Sequence, residues 1–234
     1  VRNVRFGWKD EAGNQSETTD FTILLDRQPP TMRDFILGDG SGYSTSRTVD
    51  LQFNCADSMS SENELVMSIL SPNENSIIDI NEIAYASPYE FTLDNVPGLQ
   101  AITLACRDAA GNIAMRSGNE DLNRNGRIDV REDLDELKIF YDDIPPVQDV
   151  FIVENGVNGV SVNSPVVTVT TSFTDAHSGI DKVAISEQIE DCATANYNET
   201  ATGEFQFLLG DPDGSRRLAL CAKDIAGNIL GPVQ

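Results

Sequence analysis

A chain of 234 residues can hold one large or two ordinary domains, and 38 acidic against 16 basic residues leave it with a formal net charge of -22. Charge on that scale makes nucleic acid and anionic membranes poor partners, and it leaves room for divalent cations to contribute to stability. With 40% hydrophobic residues in regular apolar alternation the chain reads as folded, and no run approaches the roughly eighteen apolar residues of a membrane span.

The chain opens VRNVRFGW, without a methionine or a signal peptide, as expected of a mature or excised segment of something longer. Residues 1–26 read as two strands, VRFGW and FTILL, around the turn KDEAGN. The same construction returns as ITLAC with RDAAGN at 102–112, and as LALCA with KDIAGN at 218–228. A second landmark repeats with it. Asp26 with Pro29 and Pro30 matches Asp142 with Pro145 and Pro146 at a spacing of 116 residues (142 minus 26), and Asp108 and Asp224 are also 116 apart. This internal repeat sets the unit length.

Between landmarks each unit has a body of 78 residues, from Pro30 to Asp108 and from Pro146 to Asp224. The first contains the runs FIL, VDLQFNC, ELVMSIL, YEFTL and AITLAC; the second contains VFIV, VVTVTTSF, DKVAIS, GEFQFLL and RLALCA. Gly, Asn, Asp, Ser and Pro separate these short apolar or alternating runs, which predicts antiparallel β-sandwiches. Helix is sparse, with VREDLDELKI at 130–139 the best candidate.

Between turn and closing strand the two copies differ in length. Asp10 to Asp26 is 16 residues and Asp108 to Asp142 is 34, a difference of 18. The excess contains EDLNRNGRIDVRE, which places Asp121, Asn123 and Asn125 at positions 1, 3 and 5 of a calcium loop, Gly126 at 6, Ile128 at 8, Asp129 at 9 and Glu132 at 12. A hard cation wants several oxygens, alternate short side chains can point inward around a tight turn, Gly126 permits the bend, and Glu132 can close the shell with two oxygens. Arg127, at position 7, needs to offer only its carbonyl. Ca2+ is therefore the expected cofactor, held by Asp121, Asn123, Asn125, Arg127, Asp129 and Glu132. One loop without a convincing incoming helix fits a structural site better than a sensor pair.

The domain organisation expected from this phasing is a terminal hairpin of a preceding unit at 1–26, a sandwich at 27–142 with the calcium loop inserted at 113–135, and a second sandwich at 143–234 whose closing strand is missing. Two readings fit the ragged ends: a piece cut from a tandem array, or overhanging strands that complement neighbouring molecules.

Four cysteines point to an oxidising compartment. Strand alternation turns Cys106 inward together with Trp8 and Ala222 of the other copies, and Phe6, Leu104 and Leu220 two residues earlier. Cys55 alternates with Val49, Leu51 and Phe53, so a Cys55 to Cys106 disulfide through the core is expected, with Phe173 in the place of Cys55 in the second unit. Cys221 falls on the opposite strand face and pairs with Cys192. A zinc or iron site would need a closer cluster of cysteines, and His177 is the single histidine.

Asp10, Asp108 and Asp224 of the DxAGN turns and Asp26 and Asp142 of the linkers admit two readings: junction calcium between successive sandwiches, or aspartates capping their own turns. His177 reads as a loop residue, since closeness of Asp175, His177 and Ser178 in sequence does not align a nucleophile, base and orienter. Trp8, Tyr43, Tyr85, Tyr89, Tyr141 and Tyr197 read chiefly as packing, with a carbohydrate platform as the alternative.

The DxxPP landmarks, the DAHSGI segment at 175–180 and the CRDAAGN and CAKDIAGN turns resemble the tandem bacterial immunoglobulin-like domains of large surface and secreted proteins. The insertion is similar to a single EF-hand or dockerin-type calcium loop. The resemblance implies tandem immunoglobulin-like antiparallel β-sandwiches, an all-β fold, and a non-enzymatic spacer, adhesin stalk or surface-filament segment, extracellular or at the cell surface and rigidified by calcium. Its partners would be neighbouring immunoglobulin-like domains of the same or adjacent chains. A glycan- or receptor-binding accessory module is the alternative. The first unit departs from the pattern, with CADSMSSENEL where DAHSGIDKV stands in the second.

Overall fold

A computed structural model describes residues 1–70, 82–117, 137–154, 161–188, 191–198, 203–211 and 213–233. Among these residues the chain is all-β, and every strand pair is antiparallel but one. A hairpin is followed by two immunoglobulin-like sandwiches in tandem.

The hairpin pairs β1 (Arg2–Phe6) with β2 (Thr19–Ile23) as a sheet of two strands. Cross-strand partners share a face, so Val4 opposite Phe21 and Arg2 opposite Ile23 define one side with Phe6, and Arg5 opposite Asp20 and Asn3 opposite Thr22 define the other. The second side is polar, joined by the Arg5 to Asp20 ion pair and the Thr22 to Asn3 hydrogen bond. Phe6 and Trp8 meet edge to face with ring centroids 5.0 Å apart, but both are exposed, contrary to the inward placement expected from alternation. A hairpin without a second layer has no inside.

In the first sandwich one layer is β3 (Thr31–Leu37), β5 (Thr48–Ala56) and β8 (Tyr89–Thr92), with β5 central. TVDLQFNCA alternates as predicted, with Val49, Leu51, Phe53 and Cys55 buried and Thr48, Asp50, Gln52 and Ala56 exposed. The facing layer contains β6 (Val66–Leu70), β7 (Ile83–Ala84), β10 (Thr103–Arg107) and β11 (Ile113–Ser117), alongside β4 (Tyr43–Ser44), β9 (Gly98–Ala101) and β12 (Lys138–Tyr141). A single residue, Ile102, separates β9 from β10, so they form one long strand. Its hairpin partner is split in two: β11 pairs with β10 and β12 with β9. The short β4 then adds to β12 in parallel, Phe140 opposite Tyr43.

Where the partner strand is split lies the insertion. Ile113–Ser117, the first five residues assigned to it, are the ladder strand β11. Asp121, Asn123, Asn125, Arg127, Asp129 and Glu132 lie outside the described residues, as does most of the helix expected at 130–139, whose last two residues, Lys138 and Ile139, begin β12 as strand.

The ladders of the hairpin and of the first sandwich agree in register. Near the turn, Lys9 opposite Gln15 matches Arg107 opposite Ile113, an offset of 98 on both strands (107 minus 9 and 113 minus 15). At the far end, Arg2 opposite Ile23 matches Gln100 opposite Ile139, offsets of 98 and 116 (100 minus 2 and 139 minus 23). The two offsets differ by 18 residues, the length by which the sequence intervals differ.

The second sandwich packs β13 (Val147–Val153), β14 (Val166–Thr174) and β16 (Gly203–Leu208) against β15 (Ile180–Ser186), β17 (Ala219–Asp224) and β18 (Ile229–Val233). In its core Phe173, Val183, Leu220 and Ala222 are buried together, with Phe151, Ile180, Ile185 and Leu230 partly covered. Both expected disulfides are present, Cys55 to Cys106 through the first core and Cys192 to Cys221 at the side of the second.

Among the described glycines of that second unit, Gly231 has the least room for a side chain. It has φ +118°, and a Cβ there would stand 2.6 Å from the Leu220 carbonyl oxygen and 3.0 Å from Cys192 Sγ. Gly231→Ala therefore combines left-handed strain with overpacking and is expected to cost about 3 kcal/mol. In urea unfolding, the second sandwich should melt earlier while the first keeps its midpoint.

Candidate metal centres at the heads of the sandwiches

Each DxAGN turn is held by its own aspartate. Asn14, Asn112 and Asn228 each donate a backbone N–H and a side-chain Nδ2 to Asp10, Asp108 and Asp224, all at 2.8 to 2.9 Å. The capping reading thus holds for all three turns. Asp26 and Asp142 form a second repeated device before the Pro-Pro pairs, accepting from Gln28 and Ile144 N–H, both at 3.0 Å.

Tertiary structure adds a third aspartate to two of these pairs. β5 and β14 end close to Asp57 and Asp175, which fold the following loops over themselves. Asp57 Oδ1 accepts Met59 and Ser60 N–H at 2.7 and 2.8 Å. Asp175 Oδ1 accepts His177 and Gly179 N–H at 3.0 and 2.7 Å. The start of the first strand, the end of the second and the end of the long hairpin strand all lie at one end of an immunoglobulin-like sandwich. Asp26, Asp57 and Asp108 therefore bring carboxylate oxygens within 4.8 Å of one another, and Asp142, Asp175 and Asp224 do the same. Asp10 joins neither group.

Burial makes these clusters unusual. Asp108, Asp142 and Asp224 are buried, and one oxygen each of Asp26 and Asp175, the Oδ2, is inaccessible without a hydrogen-bond partner. Arg107, next to Asp108, is engaged in a two-pronged ion pair with Glu82. His177 Nδ1 lies 3.9 Å from Asp142 Oδ1 and makes no hydrogen bond. Burial above all pushes the Asp224 carboxyl above its ordinary range and Asp142 adds to this, while hydrogen bonds from Asn228 and Gly227 oppose it. The Asp57 carboxyl is held below its ordinary range, chiefly by the Met59 N–H.

Asp142 also spans the two units. Its N–H donates to the Ser44 carbonyl of the first sandwich at 2.9 Å. Its carbonyl accepts Asn228 Nδ2 at 2.8 Å, and its Oδ2 accepts Ser178 N–H at 3.0 Å, both from the second. A group holding Asp142 in the trio would hold the junction.

Ser178 Oγ accepts the Ala226 N–H and Asp175 is occupied by backbone donors, so Asp175, His177 and Ser178 do not form a nucleophile, base and orienter in line. Tyr141 is buried, Tyr85 and Tyr89 pack on the first core, Tyr43 leans on Phe140, and the Tyr197 hydroxyl donates to the Cys192 carbonyl. Trp8 is exposed on the hairpin.

Sequence reasoning missed Asp57 altogether and weighed Asp175 only beside His177 and Ser178, not as a partner of the repeated aspartates. Asp57 and Asp175 are 118 residues apart (175 minus 57) and so fall off the 116-residue phase, and their surroundings, CADSMSS and TDAHSGI, look unlike. The usable signal was local: each stands two residues after an inward core residue, Cys55 or Phe173, and three before a serine, Ser60 or Ser178, that accepts an N–H from the neighbouring DxAGN turn.

No protein-family profile and no curated protein matches the chain. Among solved structures, it is similar to the fibronectin(III)-like modules of Clostridium thermocellum CbhA, at 9% identity over 87% of this chain and 90% of that one, with a TM-score of 0.45. It is also similar to the FN1-FN3 domains of chicken CNTN1, at 10% identity over 99% and 73% of the two chains, TM-score 0.44. A tetra-tandem repeat in the extending region of a large adhesion protein aligns at 17% identity over 97% of this chain and 54% of that one, TM-score 0.33.

Proposed function

We propose that this chain is a structural segment of an extracellular or cell-surface protein, a tandem array of immunoglobulin-like sandwiches whose junctions are fixed by calcium. The observation that carries this reading is the recurrence of the aspartate trio. In each unit a linker aspartate arrives from the preceding element and meets two aspartates of the following sandwich, leaving one buried carboxylate oxygen without a partner.

Three carboxylates so close repel one another by about 3 kcal/mol per pair at an effective dielectric constant of about 20. Turn capping engages both oxygens of Asp108 and Asp224, but it leaves the Oδ2 of Asp26 and of Asp175 unexplained and does not account for the convergence of the three side chains. A cation converts that repulsion into attraction, and an all-oxygen donor set selects a hard one. Calcium suits the place because it accepts six to eight oxygens in irregular geometry, with carbonyls and water completing the shell. Asp26, Asp57 and Asp108 would hold one ion and Asp142, Asp175 and Asp224 a second. The loop carrying Asp121, Asn123, Asn125, Arg127, Asp129 and Glu132 would hold a third, stiffening the interrupted hairpin of the first unit. Two disulfides fit an oxidising, extracellular setting.

The test is calorimetry and small-angle scattering of the whole chain in EDTA and in calcium. Calcium should raise the unfolding temperature and narrow the distribution of angles between the sandwiches. Identical melting and scattering in the two conditions would sink the proposal.

A further inference from the structure

On the N-terminal hairpin Val4, Phe6, Trp8, Phe21 and Ile23 are 45 to 67% exposed, and Leu25 just beyond is 51% exposed. Their counterparts follow from the matched ladders. Phe6 and Trp8 correspond to Leu104 and Cys106, and Phe21, Ile23 and Leu25 to Leu137, Ile139 and Tyr141. Those five residues are 0 to 2% exposed. One hairpin design, in one register, is thus covered in the first sandwich and bare at the N-terminus.

What covers it in the first sandwich is known in detail. The inward residues of β5 lie across the apolar face, β6 takes the outer edge of β10, and β4 takes the outer edge of β12. The N-terminal hairpin has the same apolar face and, among the described residues, two open ladder edges, since β1 and β2 form a sheet of two. An isolated two-stranded hairpin is marginal in water, and burying each large apolar side chain is worth about 1.5 to 3 kcal/mol.

We propose that β1 and β2 are the closing hairpin of a further immunoglobulin-like sandwich, and that their bare face is covered by a body of the same construction joined directly ahead of Val1. The counterparts of β6 and β4 in that body pair with the two open edges. A second copy of this chain fits less well: each copy carries a net charge of -22, and two hairpins packed face to face leave all four edges open. The inference is independent of any cation, so it stands or falls separately from the calcium junctions.

Trp8 is the single tryptophan of the chain and lies at the turn end of the face against Phe6, so its emission reports coverage directly. Val1 corresponds to Leu99 in the first unit and to Ser215 in the second. Two extended chains follow, one with a copy of residues 30–98 joined ahead of Val1 and the other with a copy of residues 146–214. Within the grafts Cys55→Ala and Phe173→Ala make room for the indole. In the 234-residue chain, Trp8 should emit as in water and be quenched by acrylamide at every protein concentration. In at least one extended chain the emission should shift to the blue and quenching fall several-fold. Trp8 equally quenched in both extended chains overturns the proposal. So does a Trp8 already shielded in the 234-residue chain and released on dilution, which would make a second copy the occupant.

Discussion

Asp142→Asn is expected to remove nearly all of the calcium-dependent stability of the second sandwich and none of the first. At calcium about a hundredfold above its dissociation constant, that loss is about 2.7 kcal/mol. The substitution keeps size and shape, so the Asn carbonyl can still accept the Ile144 N–H, while one hydrogen bond, that of Ser178 to Oδ2, is lost. Against that loss stands the removal of one charge from a buried trio. The two effects oppose each other without metal, so in EDTA the variant should melt within a few degrees of the parent. In calcium the parent gains and the variant does not. A collapsed difference between the two conditions is the signature of a lost ligand, whereas a merely structural aspartate would lower both melts equally. Asp26→Asn should transfer the same behaviour to the first sandwich. If Asp142→Asn leaves the calcium response intact, the second trio is not a metal centre.

A larger effect is expected from the core disulfide of the first sandwich. Cys55 and Cys106 are 51 residues apart, and cross-linking a loop of that length restricts the unfolded chain by about 4 kcal/mol in the chain-entropy account. The double variant Cys55→Ala, Cys106→Ala adds a packing loss, because both residues are buried in the main cluster. The unfolding temperature of the first sandwich should fall by on the order of 20 °C. The second sandwich shows how the same positions are filled without a crosslink, with Phe173 and Ala222 buried together. The pair Cys55→Phe, Cys106→Ala should therefore restore packing but not the entropic part, and recover only a fraction of the loss. Calorimetry of the three proteins separates the contributions. A cost under about 1 kcal/mol for the alanine pair would mean that the unfolded chain is already restricted without the crosslink.

Much of the fold was legible because β-structure leaves a local record. Alternation in TVDLQFNCA named the inward residues of β5 and set Phe173 of β14 in the place of Cys55, and the register of Cys55 and Cys106 against the turn aspartate named the disulfide. The same reasoning placed Phe6 and Trp8 inward. It identified their shared face correctly, but alternation says which residues lie together and nothing about whether a second layer is present.

The candidate site was half legible. Asp26, Asp108, Asp142 and Asp224 stand in motifs that repeat at one spacing, so a phase search finds them. Asp57 and Asp175 belong to loops of different local sequence, and they reach the other two aspartates only because strands distant in the chain end side by side at the head of the sandwich.

From sequence alone came the 116-residue period, the 18-residue excess, the all-β class and both cysteine pairings, all of which follow from spacing along the chain and from the two-residue period of a strand. Only the tertiary structure decided that three aspartates converge in each unit, that Asp142 bonds to both sandwiches, and that one closing hairpin is covered while its counterpart is bare. Each of these depends on which strand ends meet in space, and that is set by the packing of two layers around a common core.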